Sequence, residues 1–370
     1  MNVFAVVTGG GTSGHVLPAL AVADALVAAG HDATSIRYVG AQRGIETRLL
    51  PATPYPHDFL DVVGFQRRIT KQNLAFVTKM TSATRRATTL LRRWAPKVVV
   101  SVGGYASMPA VFAARRLQIP VVVVSYDRTP GRASRLAARH AAACAVAFDN
   151  SLLPRAELTG APVRRVILDV ERSGPQRSAA RAAFGIADDR FLVAVMGGSL
   201  GSGVLNTAIA DYLQAHRHDR SLAVRQVAGE RFAESIETVG DEAGGVVHQV
   251  VAYESAMEAV YAGCDLLIGR GGASTVHEVA VTGTPAILVP WADAADDHQT
   301  DNVHWLADAG GAVLLSESDL GELGEHIEAL RSDPSKCSEM SAAARRRGEI
   351  NRSGALAELI ERVAVTSASS

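Results

Sequence analysis

The run Gly9-Gly10-Gly11-Thr12-Ser13-Gly14-His15 stands between an apolar stretch and an Ala- and Leu-rich one. A glycine turn between a strand and a helix lets backbone N–H groups approach an anion, and the helix dipole favours negative charge there. A phosphate-bearing ligand is the expected partner. A second run, Arg270-Gly271-Gly272-Ala273-Ser274-Thr275-Val276-His277-Glu278, again leads glycines into hydroxyl residues at a helix start. It reads as another phosphate seat, with Glu278 one turn in and able to reach a sugar hydroxyl. The other reading is a capping box, in which Glu278 satisfies only its own helix. Residues 289–302 gather Asp293, Asp296, Asp297, His298, Gln299 and Asn302. Amide and carboxylate groups of this kind offer oriented donors and acceptors to sugar hydroxyls. Alternatively, Asp296 and Asp297 complement the dipole of a solvated helix start.

These residues require strand ends and helix starts to hold them. Short β-branched runs alternate with longer Ala-rich stretches of helical period, the pattern of buried parallel strands covered by helices. Strands are expected at 4–8, 35–39, 98–102, 121–125 and 144–148, then at 191–196, 223–227, 246–251, 265–268, 286–290 and 312–315. Each half opens with strand, glycine turn and helix, the second at Gly197-Gly198-Ser199-Leu200-Gly201. Between the halves, residues 149–178 carry Pro154, Gly160, Pro162, Gly174 and Pro175, a turn-rich connection. The fold class is therefore α/β, two doubly wound domains, with ligands expected where the carboxyl ends of the strands face each other across a cleft. A final helical stretch, 338–363, is placed to pack back across both halves, and the last residues are expected to fray.

A length of 370 residues and 48% hydrophobic content supply a core for each domain and exclude a disordered or fibrous chain. The formal charge of −1 argues against wholesale nucleic-acid binding. Cys144, Cys264 and Cys337 lack metal-ligand spacing and suit a reducing cytoplasm. The N-terminus has no basic region of the signal-peptide kind, and no uncharged stretch reaches the ~20 residues of a spanning helix. The first glycine turn also satisfies GxGxxG, which keeps an NAD-dependent oxidoreductase as a third class. Against it, the second strand ends Arg37-Tyr38-Val39-Gly40, without the acidic residue that holds a ribose. No GxxxxGK[ST] or Asp-x-Asp occurs.

Taken together, Gly10–Pro18, Gly103-Gly104-Tyr105, Gly160-Ala161-Pro162-Val163-Arg164, Gly197-Gly198-Ser199, the Arg270-to-Glu278 run and His298-Gln299 with Asn302 resemble the family 28 glycosyltransferases along nearly the whole chain. The resemblance implies a GT-B fold. It divides the chain into an acceptor- and membrane-binding domain at 1–163, a UDP-sugar domain at 164–345, and a C-terminal helix and tail at 346–370. It further implies inverting transfer of N-acetylglucosamine from UDP-N-acetylglucosamine to the muramyl sugar of lipid I, giving lipid II, with no cofactor and no metal. The second hypothesis keeps the donor and changes the acceptor to another glycolipid or a soluble natural product.

By the same resemblance Ser199 and the helix start Ala273, Ser274 and Thr275 contact the diphosphate, and Glu278 the ribose. Arg164 contacts the nucleotide, and Gln299 with His298 reads the sugar. Thr12, Ser13 and Gly14 face donor sugar and acceptor diphosphate, while Gly103, Gly104, Tyr105 and Tyr126 belong to the acceptor side. Where the family carries His-Glu-Gln-Asn, this chain has Ser125-Tyr126-Asp127-Arg128. There Asp127 restores a carboxylate one position along, and Arg128 adds a phosphate contact. His15 is the favoured general base, because the positive end of its helix keeps an imidazole neutral at pH 7. Asp127 is its rival.

Residues 62–126 contain no Asp or Glu but eleven Lys and Arg: Arg67, Arg68, Lys71, Lys79, Arg85, Arg86, Arg92, Arg93, Lys97, Arg115 and Arg116. With Leu74, Phe76, Val77 and Met80 interleaved, this region is expected to meet an anionic membrane surface, placing the protein peripherally on the cytoplasmic face. A solvated helix face explains the same charges without a partner. Nucleic acid is not expected, since no binding motif accompanies them and aromatics are sparse.

Overall fold

A computed structural model describes residues 3–64, 71–198, 201–240, 244–292 and 298–366; the side chains of Ser13, residues 71–75, Val77 and His298 lie outside that description. The chain forms two compact units. The first comprises residues 1–165 and 350–370, the second residues 166–349.

In the first unit the strands are β1 (Ala5–Thr8), β2 (Ile36–Ala41), β3 (His57–Leu60), β4 (Val98–Ser101), β5 (Val121–Ser125), β6 (Ala143–Val146) and β7 (Ala156–Leu158). They form a parallel sheet in the order β3-β2-β1-β4-β5-β6-β7. Its helices are α1 (Ser13–Ala28), α2 (Glu46–Leu49), α3 (Lys71–Trp94), α4 (Met108–Arg116) and α5 (Arg132–Ala138). The short α6 (Arg165–Leu168) crosses into the second unit. That unit holds β8 (Phe191–Met196), β9 (Leu222–Val227), β10 (Val247–Val251), β11 (Leu266–Arg270), β12 (Ala286–Val289) and β13 (Val313–Leu314). The order is β10-β9-β8-β11-β12-β13, again all parallel. Around them lie α7 (Gly174–Ala183), α8 (Gly203–Ala215), α9 (Met257–Gly263), α10 (Ala273–Thr282), α11 (His298–Ala307), α12 (Leu323–Arg331) and α13 (Pro334–Gly348), before α14 (Ala355–Thr366) returns to the first unit.

The doubly wound α/β reading of the sequence is what the chain adopts. Runs such as Val98-Val99-Val100 are fully buried because helices cover both faces of a parallel sheet. Two strands carry no such signal. β3 is a half-polar edge strand, and β7 is a three-residue edge strand with every residue exposed. Strand order reverses between β1 and β4 in one sheet and between β8 and β11 in the other, the switch points where ligands enter such folds. All four glycine motifs follow these strands. The register pairs Thr8 with Ser101, which brings the first glycine turn beside Gly103-Gly104.

The 338–363 stretch is two helices, separated by a 3-10 turn at Glu349–Arg352. α14 buries Leu356, Leu359, Ile360 and Ala364, one helical stripe, against the first unit. Its polar edge is fixed by a 2.8 Å pair between Glu361 and His31. The Gly160-Ala161 motif serves this return: Ala161 N–H donates to Asn351 at 2.7 Å, and a Cβ on Gly160 would lie 2.6 Å from the same Asn351 oxygen.

α3 turns Ala83, Ala87, Leu91 and Trp94 inward. Arg85, Arg86, Arg92 and Arg93 on it, and Lys97, Arg115 and Arg116 beyond it, are exposed, while Lys79 pairs with Asp61 at 2.9 Å. Arg67, Arg68 and the side chains of Lys71, Leu74 and Val77 lie outside the described residues.

Candidate functional site

In the first unit Thr12 is the exposed N-cap of α1, with extended backbone (φ −142°, ψ 159°). His15 occupies the first turn, its Nδ1 3.4 Å from Thr12 Oγ1. Gly103 and Gly104, both at positive φ, pass directly behind the ring. A Cβ on Gly104 would sit 2.4 Å from the Gly10 carbonyl oxygen and 2.9 Å from His15 Cδ2; one on Gly103 would sit 3.3 Å from the same carbon. The Gly103-Gly104 pair, expected on the acceptor, therefore builds the slot for the imidazole. Burial lowers the His15 pKa, against the raising influence of Asp127 and then Glu46. The ring is neutral at pH 7 and able to accept a proton.

Three side chains from other elements fasten the turn. The Tyr38 hydroxyl, on β2, donates to the Gly9 carbonyl at 2.6 Å. Tyr126, following β5, donates to the Gly14 carbonyl. That carbonyl lies four residues before Pro18, which has no N–H to complete the helical bond, so the tyrosine hydroxyl fills the gap. Tyr126, placed by the sequence among acceptor contacts, is thus buried and engaged within the turn. Glu46, at the start of α2, is fully buried and accepts from the N–H groups of Gly11 (3.2 Å) and Ala41 (2.9 Å).

Around this centre, Tyr105 lays its half-buried ring across Gly11, where a Cβ would meet Cε1 at 2.7 Å. Asp127 is half-buried and acts electrostatically on His15. Arg128 lies 5.7 Å from the centre of the Phe148 ring. Arg164 falls in the first unit, where its charge opposes the upward shift that burial imposes on Asp24 of α1; Asp24 also accepts from the Tyr55 hydroxyl at 2.5 Å. Gly14 is exposed at the helix start, and the Ser13 side chain lies outside the description.

In the second unit α10 begins at Ala273 with Gly272 as N-cap and no capping side chain. Thr275 is therefore inside the first turn, and the capping-box reading of Thr275 and Glu278 falls. The amides of Ala273, Ser274 and Thr275 form the open, positive end of a ten-residue helix. Glu278 is half-buried, and its Oε2 accepts from the Tyr261 hydroxyl at 2.9 Å, which fixes the plane of the carboxylate. Gly271 admits no side chain: a Cβ there would lie 2.6 Å from Val303 Cγ2 and 2.9 Å from the Gln299 carbonyl. Buried Asn302 donates to the Gly271 carbonyl at 3.4 Å. The Gln299 Oε1 accepts the Trp291 N–H at 3.0 Å, which leaves the NH2 of this amide as its donor group.

Arg270 ties the strand ends together. It donates to Ser202 Oγ at 2.7 Å and pairs with Glu317 at 2.6 Å. Ser202 is in turn the N-cap of α8, beyond Gly197-Gly198. Ser199 and the His298 side chain lie outside the described residues. His277, within the same motif, is a core residue packed on Trp305. Sequence reading missed Glu46, Tyr38 and Tyr261. No local spacing marks the bonds they make to Gly11, Gly9 and Glu278, which span 35, 29 and 17 residues. Among the described residues, no group of three or more His, Cys, Asp or Glu is gathered as a metal site, and no helix is long and apolar enough to cross a membrane.

The sequence matches the glycosyltransferase family 28 N-terminal domain over residues 5–146 and the C-terminal domain over residues 192–358. It is 34% identical to a UDP-N-acetylglucosamine–N-acetylmuramyl-(pentapeptide) pyrophosphoryl-undecaprenol N-acetylglucosamine transferase of Desulforudis audaxviator, covering 97% of this chain and 98% of the relative. It is 37% identical to the enzyme of the same name from Paenarthrobacter aurescens, over 96% and 95% of the two chains. Among solved structures, MurG of Acinetobacter baumannii aligns with a TM-score of 0.70 and 26% identity, covering 98% of this chain and 99% of that one.

Proposed function

The chain belongs to glycosyltransferase family 28, and from that membership we propose that it transfers N-acetylglucosamine from UDP-N-acetylglucosamine to the muramyl sugar of lipid I, forming lipid II for peptidoglycan. The observation that carries this reading is the end-to-end match to relatives that bear the name of this activity.

The residues fit the chemistry. The leaving UDP develops negative charge, and the open N-terminus of α10 offers three amides and two hydroxyls toward it. Ser199, Arg164 and Arg128 are the further diphosphate and nucleotide contacts. Glu278, held in plane by Tyr261, accepts from ribose hydroxyls. Gln299 donates its NH2 to a sugar oxygen, with His298 beside it in sequence.

On the acceptor side His15 removes the hydroxyl proton. In the tautomer that donates from Nδ1 to Thr12 Oγ1, Nε2 is the basic atom. Asp127 stabilises the imidazolium that forms, and remains the second candidate base. Direct attack inverts the anomeric centre, giving a β-linkage from an α-linked donor. Leaving-group charge is met by amides and arginine, without a metal ion or cofactor. The protein acts peripherally on the cytoplasmic face of the membrane, held by the exposed arginines of α3 and its neighbours.

Transfer of radiolabel from UDP-N-acetylglucosamine to a lipid I analogue, in the presence of EDTA, tests the assignment. The expected result is product formation unaffected by chelation. UDP binding without turnover on lipid I would favour a different acceptor, as the Ser125-Tyr126-Asp127-Arg128 segment allows. In the same assay His15→Ala lowers kcat about 100-fold or more with UDP affinity unchanged; unchanged kcat eliminates His15 as the base.

A further inference from the structure

The first glycine turn has the form of an anion seat, and the chain's own Glu46 takes one of its amides. Glu46 Oε1 accepts the N–H of Gly11, in the turn after β1, and the N–H of Ala41, at the end of β2. Oε2 is buried and has no hydrogen-bond partner among the described residues. Three glycines, Gly10 from the first turn and Gly40 and Gly44 from the segment before α2, leave room for this one group. A Cβ would lie 2.4 Å from Oε1 if placed on Gly10, 3.1 Å from Cγ on Gly40 and 2.1 Å from Oε2 on Gly44. Where a dinucleotide fold sets its pyrophosphate against this turn, the chain sets its own carboxylate. A phosphate brought to the same amide would meet like charge in a poorly solvated place.

We propose that Glu46 is a positioning residue for the sugar transfer: its carboxylate takes the Gly11 amide of the first glycine turn, ties it to the end of β2, and fixes the backbone that presents Thr12 and His15. The inference rests on the transferase reading given above. It assigns the two glycine turns different work. The second, at α10, has no carboxylate on its glycine amides among the described residues, whereas in the first Glu46 makes the turn a mount for the base.

The mount also has an electrostatic side. The groups facing His15 are Thr12 Oγ1 on α1, Asp127 after β5, Glu46 on α2 and the Gly103-Gly104 backbone after β4, with Ser134 of α5 behind Gly103. Two of them are carboxylates, and both favour the imidazolium that proton abstraction creates.

Glu46→Gln keeps the size and the acceptor oxygen and removes the charge. The expected result is a kcat lowered about tenfold with the KM for UDP-N-acetylglucosamine unchanged. The acid limb of the kcat profile and the His15 NMR titration midpoint should both move to lower pH. Gly44→Ala is the second variant: it retains the charge but drives the carboxylate from its seat, and should lower kcat while leaving UDP binding intact. The NMR titration needs no substrate. If the wild-type protein fails to use lipid I, the transferase reading falls while the His15 midpoint still tests the role of Glu46. A Glu46→Gln protein with wild-type kcat and an unmoved midpoint overturns the proposal, as does a Gly44→Ala protein with wild-type kcat.

Discussion

Replacing Gly104 by alanine isolates the geometry on which proton removal depends. Gly104 has φ +75° and ψ 158°, a backbone region essentially reserved for glycine, so the strain alone costs about 1–3 kcal/mol. The new Cβ would stand 2.4 Å from the Gly10 carbonyl oxygen and 2.9 Å from His15 Cδ2. Both neighbours are held, the first by backbone and the second by its slot, so the turn must move by roughly 1 Å, a displacement that costs about 100-fold in rate. That corresponds to about 2.7 kcal/mol in the barrier. Gly30→Ala is the control: its φ is +102° and no atom lies within 4 Å of the added carbon, so it carries backbone strain without collision. Urea unfolding and single-turnover transfer to a lipid I analogue read the two effects separately. Both variants should lose stability, but only Gly104→Ala should lose kcat, with UDP affinity equal to wild type. A Gly104→Ala enzyme within about threefold of wild-type kcat would refute the slot as the mount of the base.

Arg270→Met removes the partner of Glu317 and the donor to Ser202, so it should cost about 2–3 kcal/mol in urea unfolding and weaken UDP binding measured by calorimetry. Unchanged UDP affinity would show that Arg270 holds strand ends without shaping the donor site. His248 has its pKa lowered to about 4 by burial, while its unfolded value is 6.5. The stability contributed by neutral His248 is then fully present above pH 6.5 and lost as pH falls toward 4, by roughly 2–3 kcal/mol after allowing for partial exposure. His248→Gln should flatten that slope in urea midpoints taken across this range. Vesicles of anionic phosphatidylglycerol should sediment the wild-type protein at low salt and release it at high salt. Charge reversal of Arg85, Arg86, Arg92 and Arg93 should abolish sedimentation, at about 1 kcal/mol per charge. Equal sedimentation of the variant would free these arginines from any membrane role.

Much of the architecture was legible because parallel sheets write themselves into the chain as short, wholly apolar runs. Val98-Val99-Val100 and Val121–Ser125 could hardly be anything else. β3 and β7 escaped for the converse reason: edge strands face solvent and carry His57, Asp58 and Glu157. The expected single helix at 338–363 broke at Glu349–Arg352, where no proline gives warning. The phosphate seat at α10 was readable as glycines leading into hydroxyls. Its capping-box alternative could be dismissed only by seeing the helix begin at Ala273.

The amino-acid order by itself determined the two doubly wound units, the four glycine turns at strand ends, and the family to which the chain belongs. These follow from local periodicity and from backbone shapes that only glycine adopts. Tertiary structure alone decided which groups those turns serve. Glu46 reaches Gly11 across 35 residues, and Tyr126 reaches the carbonyl orphaned by Pro18 across 112. A hydrogen bond has a range of about 3 Å and no memory of sequence separation, so such partners exist only once the sheet has brought its strand ends together.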